Sequence, residues 1–266
     1  MVLAALAAGC RESGSAPRPA QVAVTNSYLE AAVRDLCPPE VEVLCLAPPG
    51  MCPGHFDLAP AQVRRLRECR VLLLFDFQQA VAQRLSRLRD RGLRMELVPA
   101  PAGLCVPQVY LATCRQVGDI LSSIYPEKAA QFAARLAALE RRLDTLVTGV
   151  KTAVAGADLT GAAVLTSRHQ EKFAAWLGLR PVATFIGSDL ETVAGIDHCL
   201  RRAAGQDIRF VIANRQEGAG LAQALAERLH AKAVTFSNFP AACEGTDGFG
   251  RLVRDNVELL LRAAAP

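Results

Sequence analysis

PEKAAQFAARLAALERRLDTLVTG, residues 126–149, is the stretch on which the architecture turns. Pro126 suits the first turn of a helix, where its missing N–H would have no partner anyway. Phe132, Leu136, Leu139, Leu143 and Leu146 then recur at 4-3-4-3 spacing, which places them on one helical face. No Gly or Pro interrupts the run before Gly149. Roughly 24 residues at about 1.5 Å each make a rod of about 36 Å, long enough to run beside two lobes.

The flanking sequence supplies those lobes. Towards the amino terminus, VAVTN (22–26), VEVLCL (41–46), VLLLFDF (71–77) and MELVPAP (95–101) are short apolar runs, each followed by an amphipathic segment. Towards the carboxyl terminus, AAVLTS (162–167), PVATF (181–185), IRFVIAN (208–214) and AKAVTF (231–236) repeat the scheme, and GRLVRDNVELLLRAA closes the chain. Near-continuous apolar strands alternating with helices imply parallel sheets covered on both faces. The expectation is an α/β protein of two lobes, each a parallel sheet flanked by helices, joined by one long spine helix. Its boundaries are 1–21 for a leader and tether, 22–124 for the first lobe, 125–156 for the connecting helix and 157–266 for the second lobe.

Composition narrows the function. Hydrophobic residues make up 51% of the 266 and charged residues 21%, which excludes a disordered chain. The net charge of +4 is carried by arginines scattered over helix-like segments (RRLREC, RLSRLRDRGLR, LERRLD), a solvated-face pattern that gives no reason to expect nucleic acid as a partner. No apolar run reaches the roughly 18–20 residues that span a bilayer. The opening MVLAALAAGC is short, apolar and rich in small residues, and RESGSAPRPAQ follows it. A segment closing on Leu-Ala-Ala-Gly-Cys resembles a bacterial lipoprotein signal. That resemblance implies lipidation of Cys10, a flexible tether, and a position on the periplasmic side of the inner membrane.

The chemistry concentrates in PPGMCPGHFDLAPAQ, residues 48–62. A thiol and an imidazole, Cys52 and His55, stand three apart on a loop stiffened by Pro48, Pro49 and Pro53. Both side chains serve soft and borderline metals, and prolines lower the entropy cost of holding a loop in ligand geometry. The Pro-Pro-Gly turn, the His, Phe56, Asp57 and the helix-opening Pro60 together resemble the first metal loop of zinc and manganese ABC-transporter substrate-binding proteins.

The resemblance runs from residue 22 to the end and implies a transition-metal ion carried in a cleft between the lobes, two ligands from each. It implies an ABC importer permease as partner and a monomer that is not an enzyme. Carried over position by position, the ligand set is altered. His55 arrives one residue later than the family pattern, and Cys52 stands where an acidic residue is usual. In CVPQVYLATC, Gln108 occupies the second ligand position, while Pro107, Tyr110 and Leu111 fit the motif. Cys105 lies three residues upstream and is a candidate to join Cys52 and His55. Two thiols and an imidazole suit Zn²⁺, or Cu⁺, better than manganese. A Cys52–Cys105 disulfide is the competing reading, since an exported protein permits one.

In the second lobe the third ligand position falls on Ser167, with His169 two residues later as the candidate. Ser237 and Asn238 stand where an Asp is usual, and Asn214 takes the place of an acidic residue after the preceding strand. The standard four-ligand zinc set is therefore not present. Among the other cysteines, Cys37 and Cys45 are spaced to bridge across a turn, whereas Cys69 and Cys114 read as buried small hydrophobes. His198 and His230 read as ordinary surface or partly buried residues and Trp176 as core. The sequence carries no G-x-S-x-G elbow and no Gly-rich phosphate loop after its first strand, which argues against an enzyme. Alternatives on the same fold are a receptor for a chelated metal or a cobalamin-like cofactor, and a metal chaperone or paralogue that has lost the site.

Overall fold

A computed structural model describes residues 21–47, 58–89, 92–187, 190–241 and 247–265. Strands and helices alternate: β1 (Val22–Val24), α1 (Ser27–Leu36), β2 (Val43–Cys45), α2 (Pro60–Leu66), β3 (Val71–Phe75), α3 (Gln79–Arg84), α4 (Ser86–Arg89), β4 (Arg94–Val98), α5 (Pro107–Ile124) and α6 (Ala129–Gly156). The pattern resumes with β5 (Ala163–Ser167), α7 (Glu171–Leu177), β6 (Arg180–Phe185), α8 (Val193–Ala203), β7 (Ile208–Asn214), α9 (Gly220–Leu229), β8 (Lys232–Phe236) and α10 (Gly248–Ala264). Among the described residues the strands form two parallel sheets, ordered β2-β1-β3-β4 and β6-β5-β7-β8. The two orders are the same, so the lobes are topological repeats. This is the α/β, two-lobe architecture that the sequence pattern implies.

The pleat explains how the lobes are held together. Successive strand residues point to opposite faces, so each strand splits its side chains between two cores. Val22 and Val24, Val71, Leu73 and Phe75, Val164, and Phe210 and Ile212 enter one apolar cluster that also takes in α1, α5, α6, α7 and α10. Ala23, Leu72 and Leu74 face a second cluster under α2–α4, and Leu165, Val211 and Ala213 a third under α8 and α9. The first cluster is common to both lobes.

A 3₁₀ turn at Pro126–Lys128 leads into α6, and the helix runs through Gly149 to Gly156. A mid-helix glycine costs about 1 kcal/mol. Val150, the next residue, and Val154, one turn beyond it, are buried, and each contributes roughly 1.5–3 kcal/mol, which outweighs that cost.

α10 returns from the second lobe to close the first. Phe249 stacks on Tyr110 with ring centroids 3.9 Å apart and planes 2° apart, and it meets Tyr28 edge-on. Asp35 is buried in α1, where it accepts hydrogen bonds from Tyr110 Oη at 2.7 Å and from Arg142 Nη2 at 2.5 Å. Arg142, on the spine, also pairs with Asp247 at 3.4 Å. One ion network thus ties α1, α5, α6 and the start of α10.

Candidate functional site

Open α/β sheets present their functional side chains at the carboxyl ends of the strands. In the second lobe β5 ends on Ser167, followed by a 3₁₀ turn at Arg168–Gln170; β7 ends on Asn214, followed by a turn at Arg215–Glu217. Ser237 and Asn238 follow β8. Gln170 is fully buried, and its Nε2 donates to Asn214 Oδ1 at 3.3 Å and to Asn238 Oδ1 at 3.0 Å. Gln216 Nε2 donates to Ser237 Oγ at 3.1 Å, and Gln216 Oε1 accepts from Asn238 N at the same distance.

The first lobe reaches this amide cluster through the loop between β4 and α5. Gly103 sits there at φ +88°, and a Cβ at that position would lie 3.0 Å from Lys172 Cβ, so the close approach of the loop to α7 requires glycine. Two residues on, the Cys105 thiol donates to Ser237 O at 3.0 Å and lies 3.6 Å from Asn238 Oδ1. Asn256 of α10 donates its Nδ2 to the same carbonyl at 2.9 Å and stands 3.6 Å from the sulfur. Burial raises the Cys105 pKa, and the Asn256 hydrogen bond opposes that only in part. The group is therefore a neutral thiol donor across the lobe junction.

A second, more open arrangement lies beside it. Ser167 Oγ donates to Glu217 Oε2 at 2.5 Å and accepts from the His169 amide at 3.2 Å. The other carboxylate oxygen, Oε1, lies 3.5 Å from His169 Nε2. The His169 side chain is 59% exposed and that of Glu217 15%.

Of the residues expected at the site, Cys105, Asn214, Ser237 and Asn238 are drawn into the amide cluster. His169 stands outside it with Glu217, and Gln108 is exposed in the first turn of α5. Cys10, Cys52 and His55 lie outside the described residues. Cys37, Cys45, Cys69, Cys105, Cys114 and Cys199 are all free thiols. Cys37 and Cys45 therefore do not bridge: Cys37 is packed into the shared core, and the Cys45 thiol donates to Ala47 O at 3.3 Å. Cys105 is likewise a hydrogen-bond donor and not half of a disulfide. His198 and His230 are exposed, and Trp176 is partly buried against Phe173.

The sequence reading missed Gln170, Gln216, Glu217 and Asn256. The first three each fall within three residues of a strand end, and Asn256 interrupts the apolar face of the closing helix, so both signals were present. Among the described residues no three His, Cys, Asp or Glu side chains converge in metal-binding geometry, and no helix is long and apolar enough to cross a membrane.

The family model ZnuA, described as zinc-uptake complex component A periplasmic, matches residues 106–263. The chain belongs to this zinc-uptake family. Solved structures agree on the fold. A crystal structure of ZnuA superposes with a TM-score of 0.75 at 15% identity, covering 93% of this chain and 100% of that one. A mutant laminin-binding adhesin (Lmb) from Streptococcus agalactiae gives 0.75 at 14% identity, covering 92% and 100%. The Cd-bound periplasmic metal-binding protein from candidatus Liberibacter asiaticus gives 0.75 at 13%, with the same coverages. No curated protein sequence matches the chain. The zinc-uptake family is one of periplasmic uptake components, which fits a binding protein better than a catalyst.

Proposed function

We propose that the chain is a lipid-anchored extracytoplasmic receptor that captures a transition-metal ion, Zn²⁺ foremost, between its lobes and delivers it to an ABC importer permease. Membership of the zinc-uptake family supports the reading. The observation that carries it is the meeting, at one junction, of the strand ends of the second lobe and the β4–α5 loop of the first. Residues 22–124 and 157–266 act as the two lobes about the connecting segment 125–156. Residues 1–21 act as leader and tether, with Cys10 lipidated and the receptor monomeric. Cys52 and His55 offer donors from the first lobe and His169 from the second. Cys105 joins them only if its hydrogen bonds across the junction open.

Native mass spectrometry of purified protein under reducing conditions, with Zn²⁺, Mn²⁺ and Cu⁺ in competition, tests the reading. One bound zinc per chain is expected. A chain that takes up none of the three at micromolar concentrations overturns it. One observation favours a second reading: Ser167, Asn214, Ser237 and Asn238 are all neutral and bonded within the protein. A receptor for a chelated metal or cofactor, or a paralogue that has lost the site, would present such a cleft, and the same titration would then show no bare ion bound.

A further inference from the structure

The two lobes solve one local problem with different residues, and the difference points to a ligand. In the first lobe Gln78 stands three residues after Phe75, the last residue of β3, and is buried. Its Oε1 accepts from Thr25 Oγ1 at 2.7 Å, just past β1, and from Phe75 N at 3.0 Å. In the second lobe Glu217 stands three residues after Asn214, the last residue of β7, and accepts from Ser167 Oγ at the end of β5. Because the sheets share one strand order, the two hydroxyl-to-Oε bonds occupy equivalent places. The first lobe demonstrates that a neutral amide suffices to tie these strand ends. The negative charge of Glu217 is therefore surplus to the fold.

That charge is held in place. A Cβ on Gly187, in the loop after β6, would fall 2.7 Å from Glu217 Cβ and 3.0 Å from its carbonyl oxygen, so the loop packs directly on this residue. Among the described residues the basic group within 4 Å of the carboxylate is His169. Their separation of 3.5 Å is long for a direct N–H···O bond, which favours about 2.9 Å. It is close to the roughly 3.3 Å between an imidazole nitrogen and a carboxylate oxygen that share a tetrahedral zinc, each about 2.0–2.1 Å from the metal.

We propose that Glu217 Oε1 and His169 Nε2 form the second lobe's half of a divalent-cation site, with Glu217 supplying the carboxylate missing from Ser167, Asn214, Ser237 and Asn238. The proposal rests on the metal-receptor reading and sharpens its ligand class. An imidazole and a carboxylate select borderline and hard divalent ions, Zn²⁺ ahead of Mn²⁺, and disfavour Cu⁺. Ser167 acts as a positioning residue, since its hydroxyl occupies Oε2 and leaves Oε1 for the ion.

Zinc titration of the full chain against a competing chelator tests the pair, using wild type, Glu217→Gln, His169→Ala and, as a charge control, the exposed Glu171→Gln. Glu217→Gln reproduces the amide that the first lobe already uses, so its metal-free thermal midpoint should match wild type. Its zinc affinity should fall more than tenfold, as should that of His169→Ala, with Glu171→Gln unchanged. Zinc bound equally by wild type and Glu217→Gln overturns this inference and leaves the receptor reading standing. A wild type that binds no zinc overturns both. Loss of zinc binding in Glu171→Gln to the same extent as in Glu217→Gln would also overturn the pair, because a diffuse charge effect would then account for it.

Discussion

The two lobes share a strand order and differ in what they place on it. Five of the six described free thiols, Cys37, Cys45, Cys69, Cys105 and Cys114, precede the spine, and only Cys199 follows it. Both lobes bury amides past their strands, Asn26 and Gln78 in the first and Gln170, Asn214 and Asn238 in the second, but of these only Asn238 reaches the first lobe's Cys105, and Gln170 shares that partner. A common backbone scaffold therefore leaves the chemistry of each lobe to a few residues just past the strands. Those residues can diverge without disturbing the sheets, because the apolar strand interiors are satisfied independently.

The largest effect should come from breaking what the lobes share. Phe249 is buried and belongs to the second lobe by sequence, yet it packs on Tyr28 and Tyr110 of the first. Phe249→Ala should cost about 4 kcal/mol in urea unfolding, through lost burial plus the cavity left behind. Wild type should unfold in a single transition by both fluorescence and circular dichroism. Two separate transitions would break the claim of a common core.

Alkaline pH should single out the first lobe. Burial pushes the Cys37 and Cys69 thiols from an ordinary 9 up to about 11. Unfolded chains release these protons near pH 9 while the folded protein keeps them, so the unfolded state binds fewer protons and stability falls as pH rises from about 9 to 11. Each thiol contributes on the order of 2–3 kcal/mol to that loss. Urea midpoints measured at pH 8, 9, 10 and 11 should drop, and the Cys37→Ala/Cys69→Ala double variant should flatten the drop. Parallel curves for the two proteins would remove these thiols from the explanation.

The amide cluster of the second lobe should yield a smaller loss. Asn238→Ala removes one of the two acceptors of Gln170 Nε2 and lies next to the Cys105 thiol, at a cost of about 2 kcal/mol for buried polar groups left short of partners. An unchanged urea midpoint would mean that water repairs the cluster. The smallest effect has the opposite sign. Gly149 lies in the spine, where an added Cβ meets nothing within 4 Å, so Gly149→Ala should stabilise by about 0.5–1 kcal/mol, read as a raised thermal midpoint.

Much of this was legible in the chain. Apolar strands alternating with helices, the 4-3-4-3 stripe of the spine and the strand-end positions of Asn214, Ser237 and Asn238 all follow from local periodicity, because the pleat and the helical turn repeat over a few residues. Legible as well were the neutral side chains Asn214, Ser237 and Asn238 at positions where the family resemblance implies acidic ones. The pairings themselves were not. Cys105 meets Ser237 across 132 positions, Ser167 meets Glu217 across 50, and Asp35 meets Arg142 across 107. No local rule joins such residues: the shared core sets the distance between the lobes, and the identical strand order sets which ends face one another. Sequence determined which residues stand at the strand ends. Only the packing of two sheets about one helix decided that a cysteine would be sealed among amides while a glutamate three residues past β7 was left beside a histidine.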